Sequence, residues 1–202
     1  MGQGACFGTT PKLNGDYVYS VVPCGITDSL GNNTGTVPFT FVNTNSEGQS
    51  IETISCNVPS YRGIENPFGH VWKNTIDSLV HTNTTDGYND IYTNDNIITF
   101  GSADINEYKL QCKTKTTEGY KKKLIYNSSL DLFPPVDDTY GANAGNYWCD
   151  YNYTNSSSTD RTILIGGGSG DGSIAGLLCL SSSDGLGIAG VDVGTRLIYL
   201  PQ

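Results

Sequence analysis

The feature that most constrains this sequence is the near absence of a helical repeat of apolar residues. Short runs of β-branched and aromatic residues are instead separated by glycine, proline, asparagine and aspartate. An amphipathic helix needs apolar residues recurring every three to four positions, whereas a strand needs only a short run bounded by turn residues. The sequence therefore predicts an α+β, strand-dominated fold, in which the only helix is a short one near Lys12 or within residues 101–110.

Several segments have the length and composition of strands. Pro38 lacks the N–H that a central strand needs, which predicts an edge position for its segment. Residues 81–130 are rich in Asn, Asp and Thr, and we expect long loops there around short strands. The predicted strands are Asp16–Val22, Val37–Val42, Asp90–Tyr92, Ile97–Phe100, Lys122–Tyr126, Arg161–Ile165 and Val193–Leu200.

The charge balance is acidic, with a formal net charge of -9. A chain with this overall field repels the phosphates of nucleic acids, so we expect no nucleic-acid partner. The one basic run is Lys121–Lys123, with Lys113 and Lys115 nearby. Because lysines on strand edges block edge-to-edge pairing, this group predicts a solvated turn or a strand edge.

The cysteines lack the CxxC spacing of metal sites and redox motifs. Their even number permits three disulfides, but the chain is long enough to fold without them, which favours mostly buried free thiols. They are Cys6, Cys24, Cys56, Cys112, Cys149 and Cys179. No stretch reaches the ~18 apolar residues of a membrane span, and Met1–Thr10 lacks the regions of a signal peptide, so we expect no membrane insertion.

Catalytic and metal-binding motifs are missing from the sequence. His70 and His81 stand outside any HExxH pattern, and no G-x-S-x-G elbow is present. Gly166–Gly172 lacks the Lys-Ser/Thr of a phosphate-binding loop, which predicts a flexible surface loop. Acidic pairs such as Asp137-Asp138 are more often solvated than metal-binding. We therefore expect neither an enzyme, nor a cofactor, nor a bound metal.

Two blocks of the sequence, taken in order and spacing, carry a family resemblance. The first is Tyr61–Trp72, which reads YRGIENPFGHVW. The second closes the chain and contains Gly166-Gly167, Gly172, Ala175-Gly176 and Gly194–Leu197. Together they resemble a signature shared by formylglycine-generating-enzyme-like domains and by phage and bacterial-surface domains of C-type-lectin fold that are targets of diversity-generating retroelements.

The sequence departs from this signature in ways that bear on chemistry. Lys73 and Asn74 stand where the family often has a second Trp, and Gly168 where an aromatic residue often follows. The oxidases of the group bind copper through two cysteines a few residues apart, since two thiolates suit Cu(I). Here Cys149 and Cys179 are far apart in the sequence, so the resemblance does not extend to oxidase activity.

The resemblance implies a C-type-lectin-like fold with short irregular antiparallel strands and long loops, spanning residues 61–202. Residues 1–60 are then a β-rich segment, either packed on the core or serving as an attachment module. In retroelement targets an exposed face near the end of the fold binds the ligand. The corresponding candidate ligand-binding residues here are Tyr147, Tyr151, Tyr153, Asp171, Ser173, Ser182 and Asp184. The fixed frame would contain Trp72, Trp148, Arg161–Ile165 and Gly194–Leu200, with Arg161 and Arg196 anchoring its carbonyls or carboxylates.

The function implied is that of a receptor-binding domain of a phage fibre or tail, exposed on the virion. It would recognise a host-cell surface glycan or outer-membrane protein, contact other virion proteins, and form a homotrimer. Two alternatives stay open at this point. One is a structural virion protein, a capsid decoration or fibre-stabilising domain without a receptor. The other is a bacterial surface adhesin.

Overall fold

A computed structural model describes residues 10–13, 16–18, 24–44, 47–96, 98–121, 140–141, 151–157, 159–168, 171, 174–190 and 192–194. Within these residues the helices are two 3-10 turns, Asp28–Leu30 and Ile105–Glu107. The strands are β1 (Thr10–Leu13), β2 (Asp16–Val18), β3 (Gly35–Thr44), β4 (Ser50–Tyr61), β5 (Ile64–Glu65), β6 (Trp72–Asn83), β7 (Tyr88–Thr93), β8 (Lys109–Lys115), β9 (Gly119–Lys121), β10 (Tyr140–Gly141), β11 (Tyr151–Thr154), β12 (Arg161–Ile165), β13 (Leu180–Ser182) and β14 (Val193–Gly194). The predicted dominance of strands is confirmed.

The smaller of the two main sheets contains β3, β4 and β5 in that order, all antiparallel. β3 and β4 pair along nearly their whole length as a long ribbon. The half-buried Val37 and Phe39 alternate with exposed neighbours, as the twofold repeat of a strand requires. β3 lies at the sheet edge, so the edge position predicted from Pro38 is confirmed.

The larger sheet contains nine strands, in the order β10-β9-β11-β13-β12-β6-β7-β8, with β14 pairing alongside β6. Most neighbours are antiparallel, but β11 pairs with β13 and β14 pairs with β6 in parallel. β12 is paired on both sides, with β13 and with β6. β1 and β2 form a separate antiparallel pair.

The core of the larger sheet lies on both faces of β12. Leu164 packs with Trp72 and Cys179 on one face. Ile163 packs with Val80 and Ile91 on the other. Each fully buried aliphatic side chain contributes about 1.5–3 kcal/mol relative to an exposed one. Burial on both faces explains why the predicted strand Arg161–Ile165 reads as a continuous apolar run rather than an alternating one.

The expectation of long loops around short strands in residues 81–130 is confirmed between β7 and β8, where the described residues of 94–108 include one 3-10 turn and no strand, and is wrong for the strands themselves. β6, β7 and β8 form a regular antiparallel meander there. The polar residues that predicted loops are buried inside it, with Asn89 fully buried and Thr82 and Thr114 nearly so. The side chains of Thr82 and Asn89 bond to each other and Asn89 bonds to Thr154, partners that local composition does not reveal, whereas the Thr114 hydroxyl has no hydrogen-bond partner within the described residues.

The short helix expected near Lys12 or within residues 101–110 is found at the second place, as the 3-10 turn Ile105–Glu107, whereas Lys12 lies in β1. The strand predicted at Ile97–Phe100 is replaced, over residues 98–100, by a turn. The Asn94 side chain donates to the Thr99 carbonyl (3.1 Å) and closes this turn.

The lysine-rich segment is divided between an edge and an interior strand. β8 is the edge of the larger sheet and carries Lys113 and Lys115, which confirms the predicted edge role for these two. Lys121 lies in β9, which pairs with both β10 and β11 and is therefore not an edge. The segment Lys122–Tyr126 lies outside the described residues.

The boundary predicted between residues 60 and 61 falls inside the smaller sheet. β4 ends at Tyr61, and β5 returns antiparallel to it. The Glu65 carboxylate then accepts hydrogen bonds from the N–H groups of Gly25 (2.9 Å) and Thr27 (2.6 Å) and from the Thr27 hydroxyl (2.9 Å). The first half of the signature block thus completes the smaller sheet, and its end at Trp72 begins the larger one.

The cysteines of the described region are chemically distinct. Cys24 is an exposed free thiol, and Cys112 is a half-buried one. Burial, with a smaller contribution from the charge of Asp90, raises the pKa of the Cys112 thiol to about 11. Cys56 and Cys179 are buried. The expected burial therefore holds for two of these four cysteines, is partial for Cys112 and is wrong for Cys24, and Cys6 and Cys149 lie outside the described residues.

Candidate binding cleft

A cleft of about 290 Å³ opens where several strands of the larger sheet end. The sheet register brings distant residues together there: Trp72 of β6 is the partner of Val193 of β14, and Leu164 of β12 is the partner of Ser181 of β13. The cleft is lined by Trp72, Tyr153, Leu164, Asp171, Ser181, Ser183, Asp184, Ile188, Asp192 and Val193. It combines an apolar wall with three carboxylates and two serines.

Aromatic rings form one wall of the cleft and continue away from it. Trp72 and Tyr153 meet edge to face, with ring centroids 5.8 Å apart. Tyr153 contacts Tyr151 at 4.7 Å, and Tyr151 contacts Tyr120 at 5.2 Å. Such pairs contribute about 0.5–1.5 kcal/mol beyond their burial and hold each ring in a fixed orientation. The wall is therefore a rigid aromatic surface.

Asp171 holds the aromatic wall to the neighbouring glycine turn. One carboxylate oxygen accepts from the Gly168 N–H (2.6 Å) and the other from the Tyr153 hydroxyl (3.1 Å). Burial, followed by the charge of Asp171, raises the pKa of Tyr153 far above its ordinary value of 10.0. Tyr153 is consequently a neutral hydrogen-bond donor at physiological pH, and Asp171 is engaged within the protein.

The glycine turn beside the cleft is buried and tightly packed. Gly166 and Gly167 adopt positive φ angles of 94° and 75°. A Cβ at Gly167 would lie 2.7 Å from the Cβ of Ala175, and one at Gly168 would lie 3.1 Å from the Trp72 indole. The flexible surface loop predicted for Gly166–Gly172 is therefore wrong for residues 166–168, because the ring and Ala175 occupy the space that side chains would need.

The opposite wall, residues 181–184, is fixed through three consecutive carbonyl oxygens. The Ser182 carbonyl accepts from the Arg161 guanidinium (3.0 Å). The Ser183 carbonyl accepts from the Asn155 amide (2.8 Å), and the Asp184 carbonyl accepts from the Thr162 N–H (3.0 Å). A wall held at every residue presents its side chains to the cleft without an ordering cost on binding.

Arg161 is the buried centre of this support, with 1% of its surface exposed. Besides Ser182, its guanidinium donates to the Asn155 carbonyl (2.7 Å), to Asn89 (2.7 Å) and to Thr82 (2.5 Å). Burial lowers the pKa of Arg161 from its ordinary value of 12.5, and neutral oxygens surround the charge. The prediction that Arg161 anchors carbonyls of the frame is confirmed, whereas Arg196 lies outside the described residues.

The carboxylates on the polar side of the cleft differ in their engagement. Asp184 accepts one hydrogen bond from the Ser181 hydroxyl (3.2 Å). The Asp192 carbonyl accepts from the Trp72 N–H (2.7 Å), which fixes its backbone at the cleft. Of the described residues that line the cleft, none is Lys, Arg or His, so their net charge is negative.

The structure unites three of the predicted ligand-binding residues and separates others. Tyr153, Asp171 and Asp184 line the cleft, and Tyr151 lies beside them in the same aromatic cluster. Ser182 is buried, with its hydroxyl donating to Thr154 (2.9 Å), so its predicted exposure is wrong. Tyr147 and Ser173 lie outside the described residues.

Ser181 and Ser183, the neighbours of the predicted Ser182, also line the cleft, although Ser181 is itself buried. Successive residues of a strand face opposite sides, so an extended run through β13 places Ser181 and Ser183 on one side and Ser182 on the other. Sequence reasoning missed two further lining residues, Ile188 and Asp192. Ile188 and Asp192 carry no local signal, because they reach the cleft through the pairing of β14 with β6.

The remaining chemistry-bearing side chains lie away from the cleft. The His81 Nδ1 lies 2.7 Å from the Asp160 Oδ1. This pair lies beside Arg161, at the opposite end of β12 from Leu164. Within the described residues, no group of three or more His, Cys, Asp or Glu side chains is arranged to hold a metal ion. The same residues include no helix long and apolar enough to cross a membrane.

The chain was compared with protein-family models, with curated proteins and with solved structures. No family model, curated protein or solved structure matches it.

Proposed function

We propose that this protein is a receptor-binding domain of a phage fibre or tail that recognises a host-cell surface glycan in the cleft. The observation that carries the proposal is the convergence of Tyr153, Asp171 and Asp184. These residues were chosen from three separate segments of the sequence, and they line one concave site. A concave site with a mostly apolar wall and a few fixed polar groups is the usual form of a ligand pocket.

The chemistry of the cleft suits a carbohydrate. Asp184 and Asp192 offer carboxylate oxygens that accept hydrogen bonds from sugar hydroxyls, and Ser183 both donates and accepts. The rings of Trp72 and Tyr153 offer an apolar surface for the C–H face of a sugar ring. Polar groups alone would bind too weakly against water, whereas the combination gives both contact area and orientation.

The C-type-lectin-like fold is part of the same proposal. Its support is that the two blocks of the resemblance pack on each other. The Gly69 N–H donates to the Gly166 carbonyl (2.8 Å), His70 bridges to Gly168, and Trp72 contacts the same turn. β11, β13 and β14 are as short as the strands expected of that fold, but the pairs β11–β13 and β14–β6 are parallel where the fold was expected to be antiparallel.

The proposed mechanism is binding by shape and hydrogen-bond complementarity, without catalysis or a cofactor. Asp171 is engaged by Gly168 and Tyr153 and has the role of shaping the wall. On a virion the domain would sit beside other virion proteins as a homotrimer. Three weak sites on one fibre then gain avidity, because each further contact is intramolecular.

Binding to intact host cells tests the proposal. The wild-type trimer should bind saturably, and an Asp184→Asn/Asp192→Asn double variant should lose at least tenfold in affinity. Asp95→Asn is the matched control, because Asp95 is an exposed carboxylate paired with Lys109 and is not among the residues that line the cleft. It should bind as the wild type does.

Three outcomes contradict the proposal in different ways. Saturable binding that the Asp184→Asn/Asp192→Asn variant retains would place the receptor face elsewhere on the chain. Failure of the verified wild-type oligomer to bind any of a broad panel of hosts would favour the structural virion protein. Binding between bacteria, rather than between virion and host, would favour the bacterial surface adhesin.

A further inference from the structure

We propose that the ligand of the cleft carries a positively charged amine, so that the site selects an organic ammonium group rather than a neutral or acidic sugar. This inference rests on the proposed function, since it names the ligand class of the same cleft. It begins from the charges of the described lining residues, which include three aspartates and, within that set, no basic side chain.

Two of these carboxylates are available to a ligand. Asp171 is held by Gly168 and Tyr153, but Asp184 accepts only the bond from Ser181 among the contacts described for its carboxylate. The ion pairs of the described residues are His81–Asp160, Lys109–Asp95, Lys113–Asp86 and Lys113–Asp90. Neither Asp184 nor Asp192 belongs to them. Within that part of the chain, both carboxylates therefore lack a cationic partner that a ligand would supply.

The aromatic wall points to the same ligand independently of the carboxylates. The face of a Trp or Tyr ring attracts a cation placed within about 6 Å of its centroid. Trp72 and Tyr153 bring two such rings to the cleft, and Ile188 and Val193 add apolar contacts. An ammonium group attached to carbon suits this arrangement. The carboxylates would pair with its charge, and the aromatic and aliphatic side chains would contact its C–H groups.

The acidic cleft also argues against anionic sugars. A sialic acid carboxylate or a phosphate would enter a site lined by like charges, on a chain whose net charge is -9. The volume of about 290 Å³ accommodates one small group, near the lower limit of about 300 Å³ for ligand pockets. A deacetylated amino sugar and a lysine side chain both present the required ammonium group, and the two sources can be distinguished by experiment.

The test is calorimetric titration of the oligomeric protein with four probes. They are a glucosamine oligomer, its N-acetylated counterpart, a sialylated oligosaccharide and an Nα-acetyl-lysine methyl ester. We expect the glucosamine oligomer or the lysine ester to bind at least tenfold more tightly than the N-acetylated and sialylated probes. The tighter of the two identifies the source of the amine. Affinity should fall as salt rises, because the attraction is between charges.

Variants separate charge from shape. Asp184→Asn/Asp192→Asn should abolish the tenfold preference, and Asp95→Asn should leave it intact. Asp184→Lys tests the sign of the charge, because it should weaken the amine probes and strengthen the sialylated one. Urea denaturation midpoints equal to that of the wild type would establish that these variants fold.

The outcomes distinguish this inference from the proposed function. Equal or tighter binding of the N-acetylated or sialylated probe overturns the inference. If no amine probe binds but host cells are still bound through the cleft, the ammonium ligand is wrong and the receptor role stands. If neither cells nor amine probes bind, both proposals are wrong.

Discussion

The smaller sheet and the cleft end of the larger sheet use the same polar residue types in opposite ways. In the ribbon of β3 and β4, Thr40 and Ser55 bond to each other on the exposed face (3.0 Å). At the cleft end, Thr82 and Asn89 are buried and bond to each other (2.6 Å) beneath Arg161. The same types of polar residue are therefore exposed in the smaller sheet and buried in the interior at the cleft end.

The contrast explains where the molecule is rigid. The ribbon has a thin core, in which Cys56 and Val58 are buried and only Ile26 and Phe39 pack against them. A short antiparallel sheet of this kind depends largely on its backbone ladder. The cleft end has cores on both faces of β12 and a buried polar network around Arg161. The Nε of Arg161 has no hydrogen-bond partner within the described residues, but its two terminal nitrogens serve several oxygens that would lose a donor with it.

The largest expected effect comes from breaking that network. Arg161→Met should reduce the free energy of unfolding by about 3–5 kcal/mol, because the Ser182 and Asn155 carbonyls lose a buried charged donor and each such loss costs about 1–3 kcal/mol. The matched control is Arg62→Met in the smaller sheet, where the guanidinium is exposed over Tyr61 and the change should stay within about 0.5 kcal/mol. Urea denaturation measures both. Equal losses of unfolding free energy in the two variants would show that the buried network around Arg161 adds no stability beyond that of an exposed arginine.

Two glycines with similar φ angles differ in the space that is available for a side chain. Gly167→Ala forces a Cβ to within 2.7 Å of Ala175 at a positive φ. It should cost about 2–4 kcal/mol, from overpacking together with backbone strain. Gly48→Ala, in the turn of the ribbon, has a similar φ of 78° and nothing within 4 Å, so only the strain of about 1 kcal/mol should remain. If Gly167→Ala lowers the free energy of unfolding no more than Gly48→Ala does, the turn at residues 166–168 can shift to accommodate the added Cβ.

The thin core of the smaller sheet predicts an intermediate effect. Val58 is fully buried, and Val58→Ala should cost about 2 kcal/mol, from lost burial and the remaining cavity. Val42, on the neighbouring strand, is half exposed, and Val42→Ala should stay within about 0.5 kcal/mol. Thermal and urea unfolding of the two variants measure the difference. A negligible loss at Val58 would contradict the core assignment.

The smallest effect concerns a charge on the surface. The hydrogen bond from Lys113, followed by that from the Tyr88 N–H, lowers the pKa of Asp86 below its ordinary value of 3.8. A depressed carboxyl pKa stabilises the fold at pH values above the unfolded pKa, and the contribution disappears as pH falls through the folded pKa. The stability difference between wild type and Asp86→Asn should therefore be small at pH 7, vanish in acid, and shrink in high salt. A difference that grows in acid would reverse the assigned sign.

Predictions from the sequence succeeded where local pattern decides structure. The runs that became β3, β7 and β12 were recognised from β-branched and aromatic residues between turn residues. Pro38 identified an edge strand for a covalent reason, the missing N–H. Predictions failed where polar residues are buried, because a buried Asn89 and a solvated asparagine are identical in sequence and differ only in the partners that the fold supplies.

The residues of the candidate site also fall into those that the sequence predicted and those that depend on strand pairing. Three of its residues were predicted from position in the chain, but the separation of Ser182 from Ser181 and Ser183 requires a strand with a defined inner face. The contributions of Ile188 and Asp192 require β14 to pair in parallel with the start of β6. That pairing joins residues more than a hundred positions apart and leaves no trace in local composition.

The sequence by itself determined a strand-dominated chain, its acidic charge, the edge at Pro38 and the glycines without which the 166–168 turn could not form. Only the tertiary structure decided which polar residues are buried, which neutral oxygens accept hydrogen bonds from Arg161, and which carboxylates meet in one cleft. The physical reason is the distance along the sequence over which each property is set. Backbone propensity and net charge are properties of residues and their neighbours, whereas burial and convergence depend on which strands pair across the sheet.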